Sequence, residues 1–391
     1  MASTSCNERA GELLEACLAG TRPPRDAVQA LALDCPEAFF GVVVEGLADR
    51  FEPALSEIYA DLMAEAVAAV EPSVRPSELV ERYRRVRLPR ICRADPVEVF
   101  VLSRVTLGAD IAVTSVLLDA MKRRFPKALI LLAGPAKNHE LFARDPRIGH
   151  LPVAYKRGSL RERLGPWADL RTALSRPNAI VVDSDSRLTQ LGLLPVCADE
   201  NYYFFESRAY GGNGEESLSA LARRWVAETF GIPDAAPFVA VPEPAERADI
   251  AVSFGVGENP AKRIADPFEE ELLRLLGKRG GVIWIDRGAG GEEAARVDRA
   301  ISGSGVPRER IRTWEGSFAG FASIISRAKL YVGYDSAGQH VAAAAGVPLL
   351  SIFAGFPTLR MFHRWRPVGR VIRVDDPDPH FVLGQVAHAL R

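Results

Sequence analysis

The densest group of chemically capable side chains is the string Tyr334-Asp335-Ser336-Ala337-Gly338-Gln339-His340, which follows an apolar run ending at Gly333 and precedes an alanine-rich stretch over 341–345. The apolar run reads as a strand, and the small residues allow a tight turn into a helix. The first N–H groups of a helix have no partner within it, so they form an anion site suited to a diphosphate. Asp335, at the strand end, fits an acceptor of hydrogen bonds from sugar hydroxyls, while Gly346 stops the helix. A purely structural turn accounts for the glycine and alanines, but not for an aspartate, a serine and a histidine grouped together.

Two further strand ends carry candidates. In Ser103-Arg104-Val105-Thr106-Leu107-Gly108-Ala109-Asp110 a strand ends, a glycine loop follows and Asp110 opens a helix over 111–125. Asp110 fits a general base, and its alternative role is a helix cap complementing the dipole. In Ser253-Phe254-Gly255-Val256-Gly257-Glu258-Asn259-Pro260-Ala261-Lys262-Arg263 a glycine-rich turn ends in two cations. Glycines let backbone N–H groups approach phosphate, and Lys262 and Arg263 are placed to neutralise it, against the alternative of surface charges. The next helix has its own start signal in Asp266-Pro267-Phe268-Glu269, an Asp-x-x-Glu box with proline at the first helical position.

These turns need a scaffold that brings strand ends together. After Pro96 the β-branched and aromatic run Val97-Glu98-Val99-Phe100-Val101-Leu102 reads as a buried strand, and apolar runs recur at 128–133 and 179–182 with helical stretches between. Alternating strands and helices indicate a parallel sheet, whose ligand crevice lies beyond the carboxyl ends of its strands. A proline-rich and charged link at Pro242-Glu243-Pro244 separates this half from a second alternation, with runs at 249–254, 281–285, 329–333 and 348–353. Upstream, residues 7–93 are helical in pattern, with Ile58, Leu62, Ala66 and Val70 on one face and prolines 23, 24, 72 and 76 as breaks. The expected organisation is a helical region over 1–95 and two Rossmann-like α/β domains, 96–243 and 244–391.

At 391 residues the chain exceeds the roughly 250 to 300 at which one core stops growing, so several domains are expected. Hydrophobic residues at 48% and charged residues at 25% describe an ordinary globular protein, and a net charge of −1 gives no reason to expect nucleic acid as a partner. The five cysteines are odd in number, widely spaced and without a CxxC pair. That pattern argues against a disulfide framework and a zinc site, and fits a reducing cytoplasm. Neither a secretory signal nor an apolar run of about 18 residues, the length of a membrane span, is evident. The basic run Glu81-Arg82-Tyr83-Arg84-Arg85-Val86-Arg87 reads as a solvated helix face, with contact to an anionic acceptor or a membrane surface as the alternative.

Taken together, the chain resembles the family 9 glycosyltransferases, which include the lipopolysaccharide heptosyltransferases. The resemblance covers about 97–369. It rests on the Asp-Ser-x-Gly-x-His-x-Ala-Ala-Ala-x-Gly-x-Pro string from Asp335 to Pro348, on Trp365-Arg366-Pro367, on Lys262-Arg263 and on the loop from Leu107 to Asp110. It implies the GT-B fold, two Rossmann-like parallel-sheet domains facing a cleft, here with an N-terminal α-helical extension. The acceptor, a saccharide or lipid-linked saccharide, then binds mainly to the first domain and the nucleotide-sugar donor to the second. The resemblance also implies inversion at the anomeric carbon, with no metal and no cofactor beyond the donor itself. Asp110 matches the family's catalytic base, and Lys262 the lysine at the donor phosphates. Asp335 matches the residue at the donor sugar, Ser336, Ala337 and Gly338 the amides at the diphosphate, and His340 the histidine beside it. Glu292, or else Glu293, matches a ribose-binding carboxylate. The family's Gly-Asp is here Gly108-Ala109-Asp110, and Ile264 stands where a tryptophan often follows Lys-Arg. Two other functions fit the same architecture: a nucleotide-sugar epimerase, and a non-catalytic assembly protein using residues 7–93 as its interaction module.

Overall fold

The computed structural model describes residues 5–257, 259–288 and 290–391. It forms two compact units. The first comprises the chain up to Thr106 with Val116–His139 and Pro146–Ala236, and the second Leu107–Ser115, Glu140–Asp145 and Pro237–Arg391.

The first unit holds a five-stranded sheet in the order β3-β2-β1-β4-β5. Its strands are β1 (Glu98–Leu102), β2 (Leu129–Gly134), β3 (Ile148–Pro152), β4 (Ala179–Asp183) and β5 (Tyr202–Phe204). All pairs are parallel, with Val101 opposite both Leu132 and Val182. The second unit holds a six-stranded sheet in the order β11-β10-β9-β6-β7-β8, again parallel throughout. Its strands are β6 (Ile250–Ser253), β7 (Ile283–Asp286), β8 (Ile311–Trp314), β9 (Leu330–Tyr334), β10 (Leu349–Phe353) and β11 (Arg370–Arg373).

Every strand expected from an apolar run is present. The four that the runs did not mark, β3, β5, β8 and β11, are the four sheet edges. A central parallel strand is covered on both faces and reads as unbroken hydrophobic sequence. An edge strand is short or carries polar and charged residues, as in Arg370-Val371-Ile372-Arg373 and Ile311-Arg312-Thr313-Trp314, which discourages pairing with another chain.

The N-terminal helices Cys6–Leu18, Arg25–Asp34, Pro36–Ala48, Pro53–Val70 and Pro76–Val86 were expected as a separate region over 1–95. Instead they share one hydrophobic core with the first sheet, in which Leu13, Leu31, Phe39, Val43 and Val67 join Phe100, Leu102, Val181 and Phe204. The sequence marked the helices but not their docking surface, because an amphipathic face does not name the face it packs against.

The basic run is a solvated face only in part: Glu81, Arg84 and Arg85 are exposed, whereas Arg82 and Tyr83 are buried. Arg82, 5% exposed, donates to Asp199 at 2.8 Å and to the Gly192 carbonyl at 3.0 Å; Arg84 reaches Glu57, Arg85 reaches Asp199, and Arg87 reaches Glu206 at 2.8 Å. Arg82, Arg85 and Arg87 fasten the last N-terminal helix to the segments flanking β5, and Arg84 ties it to the preceding helix. The cysteine reading is also corrected: Cys6 and Cys35 form a disulfide, with Cα atoms 5.7 Å apart. Their spacing matches no framework because the pairing joins the start of the first helix to the turn between the next two, within one core. No single described helix is long and apolar enough to cross a membrane.

Candidate functional site

The Asp335 turn forms as its sequence indicates. β9 ends at Tyr334, and the Asp335 N–H continues the ladder by donating to the Ile352 carbonyl at 3.1 Å. Ser336 then serves as N-cap residue of the helix Ala337–Ala344, but its side chain makes no capping bond. No side chain therefore caps the start of this helix. Gly338 is required from below: a Cβ there would lie 2.3 Å from the Tyr331 hydroxyl, which is fully buried beneath the turn. The helix gives way to Gly346 at φ 69°, as anticipated.

Lys262 comes to this turn. Its Nζ lies 2.6 Å from one Asp335 carboxylate oxygen and 3.2 Å from the Asp335 carbonyl, while Gln339 donates to the other carboxylate oxygen. Ser351 of β10 in turn donates to the Gln339 side-chain carbonyl. Asp335 is therefore clamped from both sides, with its side chain 6% and that of Lys262 19% exposed. The lysine is placed by a 3₁₀ turn over Pro260–Lys262, with Asn259 accepting from the Ala261 N–H. Gly355, at φ 67°, lets that turn approach, since a Cβ there would sit 2.5 Å from Ala261 backbone atoms.

His340 is buried within the same helix, and its imidazole is pushed down to about 4, chiefly by burial and against the pull of Asp335. It is therefore neutral near pH 7, and its ring meets the edge of Trp365 at 6.0 Å between centroids. Asp110 reaches this neighbourhood through its own segment. Residues 107–115 follow β1 in sequence but belong to the second unit, and a Cβ on Gly108 would lie 3.2 Å from the His340 ring and 3.3 Å from Ala337 Cα. Asp110 does not stand at the N-cap position of a helix over 111–125. A short helical turn over Leu107–Ala109 precedes it, and it begins a π-helical stretch over Asp110–Thr114, fully buried and accepting from the Thr114 hydroxyl at 2.6 Å.

Other candidates lie elsewhere. Arg263 turns from Asp335 to Asp266 and to the buried Glu269, at 3.2 Å, which also receives Arg296 at 3.0 Å and the Tyr334 hydroxyl at 3.2 Å. Burial raises the Glu269 carboxyl, against the opposing pull of Arg296 and Arg263. The expected Asp-x-x-Glu box is absent for this reason: the helix Phe268–Gly277 has Pro267 as N-cap residue without a side-chain capping bond, and both carboxylates serve the arginines instead. Glu292 is exposed on the first turn of the helix Gly291–Ser304, whereas Glu293 lies against Gly288 and Gly255. Glu258 lies outside the described residues. Gln339 and Ser351 were not singled out from sequence. The i,i+4 spacing of Asp335 and Gln339 was the available signal for the first, and nothing local marked the second.

Residues 249–374 match the family described as glycosyltransferase family 9 (heptosyltransferase). The matched residues lie wholly in the second unit. Lipopolysaccharide heptosyltransferase 3 of Escherichia coli is 30% identical over 96 residues, which span 25% of this chain and 27% of that relative, about a quarter of its length. Among solved structures, Escherichia coli heptosyltransferase WaaC with ADP is similar at a TM-score of 0.57 and 16% identity, covering 75% of this chain and 100% of that one. Escherichia coli ADP-heptose lps heptosyltransferase II is similar at 0.52 and 20% identity, covering 75% and 98%. At these identities the likeness establishes the fold, a GT-B pair of parallel α/β units. Lys262, Asp335, Ser336, Ala337, Gly338 and His340 all fall within the matched residues, and Asp110 falls outside them.

Proposed function

We propose that the chain is an inverting glycosyltransferase that moves a hexose or heptose from an ADP- or other nucleotide-sugar to a saccharide or lipid-linked acceptor. The observation that carries this reading is the meeting of Lys262, Asp335 and an uncapped helix start within the residues matched to family 9. A diphosphate at the N–H groups of Ser336, Ala337 and Gly338 would have Lys262 beside it. As the bond from the anomeric carbon to the diphosphate breaks, charge grows on the leaving group, where the ammonium and the helix start offset it without a metal. Neutral His340 adds no charge there.

Asp335 accepts hydrogen bonds from the transferred sugar, held in place by Lys262 and Gln339. Asp110 takes the proton of the acceptor hydroxyl as its oxygen attacks, and a single displacement inverts the anomeric carbon. An adenosine diphosphate donor is supported by the similar WaaC structures, whose ligands are ADP and ADP-2-deoxy-2-fluoro heptose. A cytoplasmic location, with peripheral contact to the membrane that bears a lipid-linked acceptor, belongs to the same proposal; the Cys6–Cys35 disulfide is the observation against it.

The test is incubation with a panel of nucleotide-sugars, with and without candidate acceptors. Acceptor-dependent nucleotide release, with an inverted linkage seen by NMR, is the expected result. A sugar altered without an acceptor, or donor binding with no release under any acceptor, would reject transfer.

A further inference from the structure

Behind the donor turn, wholly within the second unit, runs a chain of polar side chains: Lys262, Asp335, Gln339 and Ser351 of β10, with His340 beside Gln339. We infer that Ser351 is a positioning residue of this site, acting through Gln339 on Asp335 and so on Lys262, and that the same chain holds His340 as its Nδ1–H tautomer. The role of Ser351 rests on the reading that Lys262 faces the donor diphosphate; the tautomer does not.

The direction of each hydrogen bond follows from the groups that have no choice. The Asp335 carboxylate, with Lys262 Nζ 2.6 Å from one oxygen, can only accept. Its other oxygen therefore takes an N–H of the Gln339 amide, which turns the Gln339 carbonyl oxygen toward Ser351. A carbonyl oxygen cannot donate, so the Ser351 hydroxyl must. The same Gln339 nitrogen lies 3.3 Å from His340 Nε2. Two donors make no bond, so Nε2 is the acceptor and the neutral ring keeps its proton on Nδ1. Burial, which pushes the His340 imidazole down to about 4, keeps that ring neutral near pH 7.

Ser351 is the fixed end of the chain. It stands on β10, which is paired on both sides, by β9 and by β11, and both it and Gln339 are fully buried. A bond lost here is not replaced by bulk solvent. Lys262 is the mobile end, since an ammonium on a four-carbon stem takes its position from its partners. Removing the Ser351 hydroxyl leaves the Gln339 oxygen without that donor and frees the amide to turn, which loosens Asp335 against the lysine. Ser351 reaches the lysine only through Gln339 and Asp335.

The experiment pairs NMR with calorimetry on the full chain. Long-range proton–nitrogen spectra near pH 7, with His340 picked out among the six histidines by its absence in His340→Gln, should show a bare Nε2 and a protonated Nδ1. Ser351→Ala should bind ADP roughly three- to tenfold more weakly than wild type, the scale of one hydrogen bond's net contribution. In a Lys262→Ala background the same substitution should bring no further loss, because its effect passes through the lysine. A merely structural serine would weaken ADP binding equally in both backgrounds, and that result would overturn the assignment. So would wild-type ADP affinity in Ser351→Ala, or a protonated Nε2 on His340. A wild type that binds no ADP would count against the donor-site reading, and the His340 tautomer would still decide the direction of the chain.

Discussion

The carboxyl ends of β4 and β5 in the first unit and of β9 in the second carry similar side chains in opposite settings. In the first unit Asp183 is fully buried and accepts from the Ser186 N–H at 2.7 Å and from Thr189 and Tyr202, while Asp185 receives Ser207 at 2.6 Å and Arg208. Helices from the N-terminal region supply Tyr83 and Arg87 to Glu206, and Tyr59 to the Gln190 carbonyl at 3.0 Å. In the second unit Asp335 has one lysine and one glutamine, and the helix start beside it has no side-chain cap. A carboxylate at a parallel strand end marks a candidate site. What the rest of the chain lays over it decides whether it holds the fold or meets a ligand.

The sharpest way to break this contrast is at Asp110. Asparagine keeps its shape and can still accept from Thr114, so Asp110→Asn should fold normally while turnover falls roughly 10² to 10⁴-fold, as expected for loss of a general base. Near-normal turnover with a working acceptor would remove Asp110 from the chemistry. Next, the adjacent cations should part company. Lys262→Ala should weaken nucleotide-sugar binding by about 1.5–3 kcal/mol, the worth of a charge-assisted bond. Arg263→Ala should leave that affinity intact and lower stability, because it uncovers Glu269. Calorimetry on both variants decides, and equal losses of donor affinity would return Arg263 to the site.

On the first unit, Arg82→Ala should cost about 1–3 kcal/mol of stability, since it leaves the carbonyls of Gly192 and Leu193 short of a donor. Denaturant unfolding measures this, and an unchanged midpoint would mean that the N-terminal helices are not fastened there.

The smallest effect is in pH dependence, where the two units should differ in sign. Glu206 is pushed up to about 7 and Asp183 to about 6, both chiefly by burial, from ordinary values of 4.5 and 3.8. Their contribution is full below those ordinary values and is lost as pH rises through about 6 to 7. His340 is pushed down from 6.5 to about 4, so its contribution is present above 6.5 and is lost as pH falls toward 4. Melting curves between pH 4 and 7 should therefore flatten on the acid side in His340→Gln and on the neutral side in Glu206→Gln. Parallel curves for wild type and both variants would contradict the assigned environments.

The central strands, the second-unit turn and its glycine stop were legible because each depends on residues close in sequence: an apolar run, small residues at a strand end, and a glycine free to take positive φ. Lys262 was legible only as a cation after a glycine loop, since its contact with Asp335 spans 73 positions. The edge strands were hidden by their own polar residues, and Arg82 and Arg87 looked solvated because their partners Asp199 and Glu206 lie more than a hundred positions away.

The sequence by itself determined two parallel α/β sheets, a helical region before them and a strand-to-helix turn at Ser336. These follow from hydrophobic period and turn chemistry, which are local. Only the tertiary structure decided that the N-terminal helices share the first sheet's core, that Arg263 serves Glu269 and not the turn, that Cys6 meets Cys35, and that residues 107–115 rest on the helix of His340. Each of these is a choice among chemically equivalent partners, and it is made by packing, which sequence spacing does not encode.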